Sequence, residues 1–256
     1  MKNQLAIVTG GSGLLGTESV ISLLDLGYKV LNLDTSKSSL ESSLLEYESC
    51  DISDSTQVSK VLARYSKDNV FTILVNCAFL DDKVSPMNQF KPAKYLEFDM
   101  ENFKSSFNVG ILGTLNIAYQ VAEYMIRQRA NDASIVFFGS DLSVISPDQR
   151  VYLNEENVQT FVKSVNYTVL KHAIIGATKH LSTLLAPFNI RVNSISPGPV
   201  NASQPEFLKR NLQTRIPMGR LLQKEEIRGS IKYLCSRDSS FVTGQNFVID
   251  GGRSVW

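Results

Sequence analysis

The sequence predicts an α/β domain built on a doubly wound parallel sheet of about seven strands. Three observations lead there. Short, uniformly apolar runs alternate with longer stretches whose apolar residues recur at helical spacing. Because the runs are apolar throughout, both faces of the sheet must be covered by helices. A glycine-rich turn joins the first run to the first helical stretch, and ligands of such sheets bind beyond the carboxyl ends of the strands.

The elements follow in order. Leu5-Ala6-Ile7-Val8 is a buried strand, and residues 14–26 form a helix that Gly27 stops. Residues 29–33 are the second strand, ending at Asp34. A Ser-rich amphipathic stretch, 38–47, leads to a short strand near Cys50, and 55–66 is the next helix. Phe71-Thr72-Ile73-Leu74-Val75 is the fourth strand and 134–138 the fifth, with one long helix over about 98–128 between them. A helix over 164–186, a strand over 190–195, a helix near 225–235 and the strand Phe247-Val248-Ile249 complete the domain. Crossovers in such a sheet are right-handed. Segments 81–95, 141–163 and 198–222 exceed ordinary connections and are expected to be substrate loops.

Composition narrows the function classes. The chain has 256 residues, one large domain, and 43% of them are hydrophobic, enough for a substantial core. A net charge of +1 with scattered basic residues gives no signal for nucleic acid or an anionic membrane. Cys50, Cys77 and Cys235 lie far apart with no CxxC spacing, so they are expected as reduced, buried core thiols. No run approaches the roughly 18 apolar residues of a membrane span. Met1-Lys2-Asn3-Gln4 runs straight into the first strand and leaves no room for a signal peptide, so a cytoplasmic protein is expected. His172 and His180 share a helix without a third ligand at useful spacing, so no metal site is expected.

The chemistry is concentrated at Tyr167 and Lys171. Of nine tyrosines, only Tyr167 has a lysine four residues on, which places phenol and ammonium on one helix face. A free phenol titrates near about 10. A neighbouring ammonium and a bound cationic nicotinamide both favour the phenolate. A tyrosine so tuned can exchange a proton with a carbonyl or hydroxyl while the cofactor exchanges a hydride.

The cofactor half is read from Thr9-Gly10-Gly11-Ser12-Gly13-Leu14-Leu15-Gly16, in which Gly11, Gly13 and Gly16 fit GxGxxG between a strand and a helix. Gly10, Ser12, Gly13, Leu14, Leu15 and Gly16 are the expected pyrophosphate contacts. Asp34 stands 18 residues after Gly16 at a strand end, where a carboxylate accepts hydrogen bonds from an adenosine ribose and repels a 2′-phosphate. NAD is therefore expected over NADP, with Lys37 able to soften the preference. Asp51 and Ile52 are placed to meet the adenine, and Asn76-Cys77-Ala78 to border the cofactor through Asn76 and Ala78. The alternative for Asp51 and Asn76 is a turn residue bonded to its own backbone.

Together these residues resemble the short-chain dehydrogenase/reductase family, over essentially the whole chain. The resemblance rests on the glycine turn, Asp51, Asn76-Cys77-Ala78, Ser140, the Tyr167/Lys171 pair, Pro197-Gly198, Thr243-Gly244-Gln245 and Asp250-Gly251-Gly252. It implies a single-domain Rossmann fold and a homodimer or homotetramer, with the helices over 98–128 and 164–186 forming one subunit contact and Trp256 buried at another interface or near a neighbouring site. It implies that Tyr167 is the catalytic acid/base, that Lys171 binds the nicotinamide ribose, and that Ser140 bonds the reacting oxygen. Pro197, Gly198 and Val200 are implied to line the nicotinamide.

Four departures from the family stand out. The turn is TGxxGxxG rather than TGxxxGxG. The family's active-site asparagine falls at Gly110, so its proton relay is not expected here and a water held by backbone groups would substitute. Ala202 stands where a threonine follows Pro-Gly, leaving Asn201 or Ser203 to supply the polar group. Ser140 and Tyr167 are 27 residues apart rather than about a dozen, and the extra segment, 146–163, is either a wall of the substrate pocket or a surface excursion or subunit contact.

Narrower likenesses lie in Ser140-Asp141-Leu142, Ser146-Pro147-Asp148-Gln149-Arg150, Gly110 and the tail Asp250-Gly251-Gly252-Arg253-Ser254-Val255-Trp256. These are similar to bacterial flagellin-modification and nonulosonic-acid oxidoreductases, which implies a sugar or amino-sugar substrate with Arg150 and Arg220 as anion contacts. A 3-oxoacyl or polyol/gluconate-type carbonyl reductase, and a non-catalytic cofactor-binding protein, are the competing expectations.

Overall fold

The computed structural model describes residues 3–80 and 98–256. Seven parallel strands form one sheet in the order β3-β2-β1-β4-β5-β6-β7: β1 (Asn3–Thr9), β2 (Lys29–Asp34), β3 (Leu45–Ser49), β4 (Asn69–Asn76), β5 (Ala133–Phe138), β6 (Ile190–Pro197) and β7 (Asn246–Ile249). β1 pairs with both β2 and β4, Thr9 facing Leu33 on one side and Asn76 on the other. The strand order reverses there, so a crevice opens above the carboxyl ends of β1 and β4.

The apolar strand runs fill two cores, one on each face. Leu5, Ile7, Leu31, Phe71, Leu74, Ile135 and Phe137 pack on one side. Ala6, Val8, Val30, Ile73, Val75 and Val136 pack on the other. The alternation of successive residues between faces is the period of a strand buried on both sides. Helices α1 (Leu14–Asp25), α2 (Ser55–Tyr65), α3 (Met100–Phe107), α4 (Thr114–Arg127), α5 (Val165–Leu185), α6 (Glu206–Gln213) and α7 (Arg228–Leu234) surround the sheet. Gly27 ends α1 in the left-handed region at φ +82°, as the sequence indicates. Asp54 caps α2 by accepting from the N–H groups of Thr56 and Gln57.

Three expectations change. The helix over 98–128 is interrupted by a π-helical segment, Asn108–Gly113, between α3 and α4. Its glycines lie close against other elements: a Cβ on Gly110 would come within 2.9 Å of the Phe79 ring, and one on Gly113 within 2.9 Å of Ile52. The third strand begins at Leu45 and takes in Tyr47, so it ends before Cys50. The loop over 198–222 contains α6, whose Leu208 and Leu212 join Val151 and Leu221 in a small separate core. That helix is secured by the inserted segment: Asn211 donates to the carbonyls of Val151 and Leu153 at 2.9 and 2.8 Å. The loop over 81–95 lies outside the described residues.

Cys50 and Cys235 are buried as expected, and burial pushes their thiols up to about 11 and about 12. Trp256 is 76% exposed on the single chain, its indole N–H donating to the Arg215 carbonyl. Among the described residues no helix is long and apolar enough to cross a membrane, and no group of three or more His, Cys, Asp or Glu is placed to hold a metal ion.

Candidate active site

The glycine turn is tightly packed at Gly10, Gly11 and Gly16 and open to the cleft at Gly13. Gly10 adopts φ +64°, donates to the Leu33 carbonyl at 2.8 Å, and accepts from the Gly13 N–H at 3.1 Å. A Cβ on Gly10 would meet the Ala78 backbone at 2.7 Å, so this close strand approach needs glycine. Gly13 is the N-cap of α1, where no side chain bonds the first turn and no acidic residue stands in it. The uncapped N–H groups and the positive helix end suit an anionic group.

Asp34 ties this turn to β2. Its carboxylate accepts from the Ser12 N–H at 3.0 Å and the Ser36 N–H at 2.9 Å. Ser12, Asp34, Asp51, Ile52 and Ala78 line a cleft of roughly 460 Å³. Asp51 bonds the backbone and hydroxyl of Ser53 at 2.9 and 2.7 Å, the turn-residue alternative. Asn76 does not line this cleft: it accepts from the Thr9 hydroxyl and donates to the Thr114 hydroxyl at 2.9 Å, pinning β4 to β1 and α4. Cys77 takes the cleft position instead. Burial pushes its thiol up to about 12, outweighing the opposite pull of the Ser19 hydrogen bond and the Lys171 charge.

A second cleft of roughly 420 Å³ adjoins the first through Gly10, Gly13, Cys77 and Phe79. It brings together Gly16, Leu14, Leu15, Ser140, Tyr167, Lys171, Pro197, Gly198 and Val200. Lys171 is only 6% exposed, and its ammonium donates to the Phe138 carbonyl at 3.0 Å and sits over the Phe79 ring at 3.9 Å. The Phe79 and Tyr167 rings meet edge to face at 5.4 Å. Lys163 lies over the Tyr167 ring at 3.8 Å. The Ser140 hydroxyl donates to Asp141 at 2.8 Å and accepts from the Leu142 N–H at 3.2 Å.

The far wall comes from the segments the sequence left open. Pro147, Asp148, Val151 and Tyr152 of the insert and Leu208 and Leu212 of α6 together line this side of the cleft. Arg150 bonds Asp148 at 2.8 and 2.9 Å and holds its carboxyl below the ordinary range. Arg220 forks onto Glu226 at 2.7 Å. Neither Arg150 nor Arg220 lines this cleft; Arg253 does, paired with buried Asp141. Neither Asn201 nor Ser203 lines it; Gln204 does, and its amide accepts from the Ala202 N–H and donates to the Val200 carbonyl. Phe79 carried no local signal, and Arg253 stood out only as part of the tail; the place of both in the cleft depends on partners distant in the chain.

A family model described as enoyl-(acyl carrier protein) reductase matches residues 21–254. The chain belongs to the short-chain dehydrogenase/reductase family. These are oxidoreductases that exchange a hydride between NAD(P) and CH–OH or C=O groups. Similar members include a 3-oxoacyl-acyl-carrier-protein reductase of Thermotoga maritima, 29% identical over 100% of this chain and 99% of that protein. An NADH-dependent L-xylulose reductase of Ambrosiozyma monospora is 29% identical over 98% and 95%. A short-chain dehydrogenase of Leptospira borgpetersenii, solved with bound NAD+, aligns with TM-score 0.86 at 29% identity over 100% of this chain and 94% of that one.

Proposed function

We propose that the chain oxidises a secondary hydroxyl, or reduces the matching ketone, of a small sugar or polyol with NAD as partner. The observation that carries this reading is the single cleft that runs from the uncapped start of α1 to Ser140, Tyr167 and Lys171. The glycine turn would hold the pyrophosphate and Asp34 the adenosine ribose; the cofactor supplies or takes the hydride.

The remaining steps belong to the protein. Tyr167 gives a proton to the substrate oxygen in reduction and takes it back in oxidation. Lys171, fixed by the Phe138 carbonyl, keeps a positive charge beside that phenol and favours its ionised form. Ser140 steadies the reacting oxygen. With its proton on Asp141 it presents a lone pair to a hydroxyl, and turned the other way it donates to a carbonyl. Leu142, Val151, Leu208 and Leu212 keep water from the reacting carbon, while Tyr152, Gln204 and Arg253 supply polar contacts for hydroxyl groups.

The L-xylulose reductase supports a polyol or sugar substrate. A role in bacterial surface-glycan assembly is the narrower form of this proposal and rests on Ser140-Asp141-Leu142, the insert, Gly110 and the tail. A second reading, a 3-oxoacyl thioester, is favoured by the Thermotoga relative and by the apolar side of the cleft. The exposed apolar side chains of Tyr119 on α4 and of Val169 and Leu184 on α5 support pairing through these helices into a homodimer or homotetramer.

The test is turnover with NAD and NADP against sugars, amino sugars, polyols, sugar phosphates and 3-oxoacyl thioesters, followed by reduced-cofactor absorbance. Turnover of a sugar or polyol that falls by about 10²–10⁴-fold in Tyr167→Phe, with NADH binding retained, is the expected result. Undiminished turnover in Tyr167→Phe overturns the assigned role, and turnover of the thioester alone moves the substrate to the second reading.

A further inference from the structure

Gly110 and Phe79 are 31 residues apart in the chain but in contact in the fold. A Cβ on Gly110 would fall 2.9 and 3.1 Å from two atoms of the Phe79 ring, so any larger residue at 110 displaces that ring. The ring in turn touches both groups that carry the proposed proton chemistry. Its face receives the Lys171 ammonium at 3.9 Å, and it meets the Tyr167 ring at 5.4 Å with an interplanar angle of 86°. It also lines both halves of the cleft. The π-helical segment presents Gly110 at this point, and its carbonyl is already taken by the Thr114 hydroxyl at 2.8 Å.

We propose that Phe79 is a positioning residue for Lys171 and Tyr167, admitted to the site by the missing side chain at Gly110. The ammonium of a buried lysine must replace the water it loses. The Phe138 carbonyl supplies one donor's partner and the aromatic face supplies an electrostatic one. The ammonium is thereby fixed 5.7 Å from the centre of the Tyr167 ring. Edge-to-face packing against the same ring sets the orientation of the phenol. A single aromatic side chain thus aligns donor and cation together, and the pair at 79 and 110 acts as one unit.

This inference rests on the acid/base reading of Tyr167 and Lys171, but its test needs no substrate. Phenolate formation is followed by ultraviolet difference titration of the NAD-saturated protein, and the Tyr167→Phe titration is subtracted to isolate Tyr167. The other charges around the phenol are Lys163 over its ring, the Asp141–Arg253 pair and Asp148, all lining the cleft, with Arg150 and Arg215 paired to Asp148 from outside it. None of these is altered by the variants. Phe79→Leu keeps the apolar volume and removes the aromatic face, so the Tyr167 phenol should titrate roughly 0.5–1 pH unit higher. Gly110→Ala, which pushes the ring aside, should move it in the same direction, and Phe79→Tyr should restore the parent value. A Tyr167 titration unchanged in both Phe79→Leu and Gly110→Ala, with both folded by thermal melt, overturns the proposal. An equal shift in Phe79→Tyr also overturns it, since the aromatic face would then be irrelevant. Failure of the acid/base reading is distinct from either: Tyr167→Phe would keep its turnover whatever the titration showed.

Discussion

Gly13 and Gly16 look alike in the sequence and should fail in opposite ways when changed to alanine. At Gly16 a Cβ would overlap the Gly10 carbonyl oxygen and come within 2.7 Å of its carbon and 2.8 Å of Gly11 Cα. All three are backbone atoms of the turn. Gly10 cannot retreat, since it is bonded to Leu33 and pressed against Ala78. Overpacking of this kind costs about 1–3 kcal/mol or somewhat more. For a chain of this size each kcal/mol moves the melting temperature by about 2–4 °C, so Gly16→Ala should melt about 6–12 °C lower at the upper end of that cost.

At Gly13 the backbone has φ −77° and ψ 175°, which alanine adopts freely, and the nearest atom to a Cβ is 3.3 Å away. The stability loss is that of a poorer N-cap, about 0.5–1 kcal/mol or about 1–4 °C. Yet Gly13 lines both halves of the cleft, so its Cβ would stand where a pyrophosphate approaches the helix start. NADH affinity should fall by about tenfold or more, a loss of about 1.4 kcal/mol. Thermal melts and NADH fluorescence titrations, run below the lower melting point, separate the two effects. A Gly13→Ala protein that binds NADH within about twofold of the parent would refute the placement of the pyrophosphate. A Gly16→Ala protein that melts within about 2 °C of the parent would refute the steric argument.

Two further outcomes follow from the ion pairs. Glu18 of α1 is 1% exposed and held by Arg228 at 2.6 Å and Lys224 at 3.0 Å, so the double variant Lys224→Met/Arg228→Met should lose about 3–5 kcal/mol in urea unfolding by stranding a buried carboxylate. Adding Glu18→Leu should recover most of that loss; no recovery would show that the cations act through packing rather than charge. The hydrogen bond from Arg220, helped by the Gln223 N–H, holds Glu226 down to about 2 from an ordinary carboxyl value of 4.5. A depressed folded-state value stabilises the fold above the ordinary value and is lost as pH falls toward 2, so the melting temperature should drop across pH 4.5 to 2, and Glu226→Gln should flatten that drop. An equal slope in Glu226→Gln would assign the acid sensitivity to other carboxylates.

What the sequence showed and what it hid divide by range along the chain. The strand runs, the glycine turn and the Tyr167/Lys171 pair are written in neighbouring residues, since each depends on a period or spacing of a few positions. All three stand in the structure where the pattern puts them. Gly110 was visible only as a gap, because the ring that fills it comes from the end of another strand. Arg253 stood out only as part of the tail, and its pairing could not be found: its partner Asp141 lies 112 residues earlier, and both are buried in the fold. Asn76 failed for the reverse reason. A strand-end amide suggests a ligand contact, yet Thr9 and Thr114 take up its side chain. Helix α6 offers just Leu208 and Leu212 at helical spacing, too short a pattern to assert a helix until the insert supplies a surface for it.

The two halves of the cleft are built on different principles, and this bears on how the protein would acquire its specificity. The cofactor side is made of backbone and strand ends, and its tolerances are those of the sheet: Gly10 meets Ala78, and Asn76 is locked between Thr9 and Thr114. The substrate side is made of the insert, α6 and the tail, and these bind chiefly to one another. Asp148 pairs with Arg215 at 3.1 Å, Asn211 holds the carbonyls of Val151 and Leu153, and Trp256 bonds the Arg215 carbonyl. Their small apolar core is separate from the two that hold the sheet. Changes in that core can therefore reshape the pocket with little strain on the strands. The sheet reaches across at Lys171 bonded to Phe138, and the tail reaches back at Arg253 bonded to Asp141 beside Ser140. Those two contacts fix the reacting groups against the sheet while the wall opposite remains free to vary with the substrate.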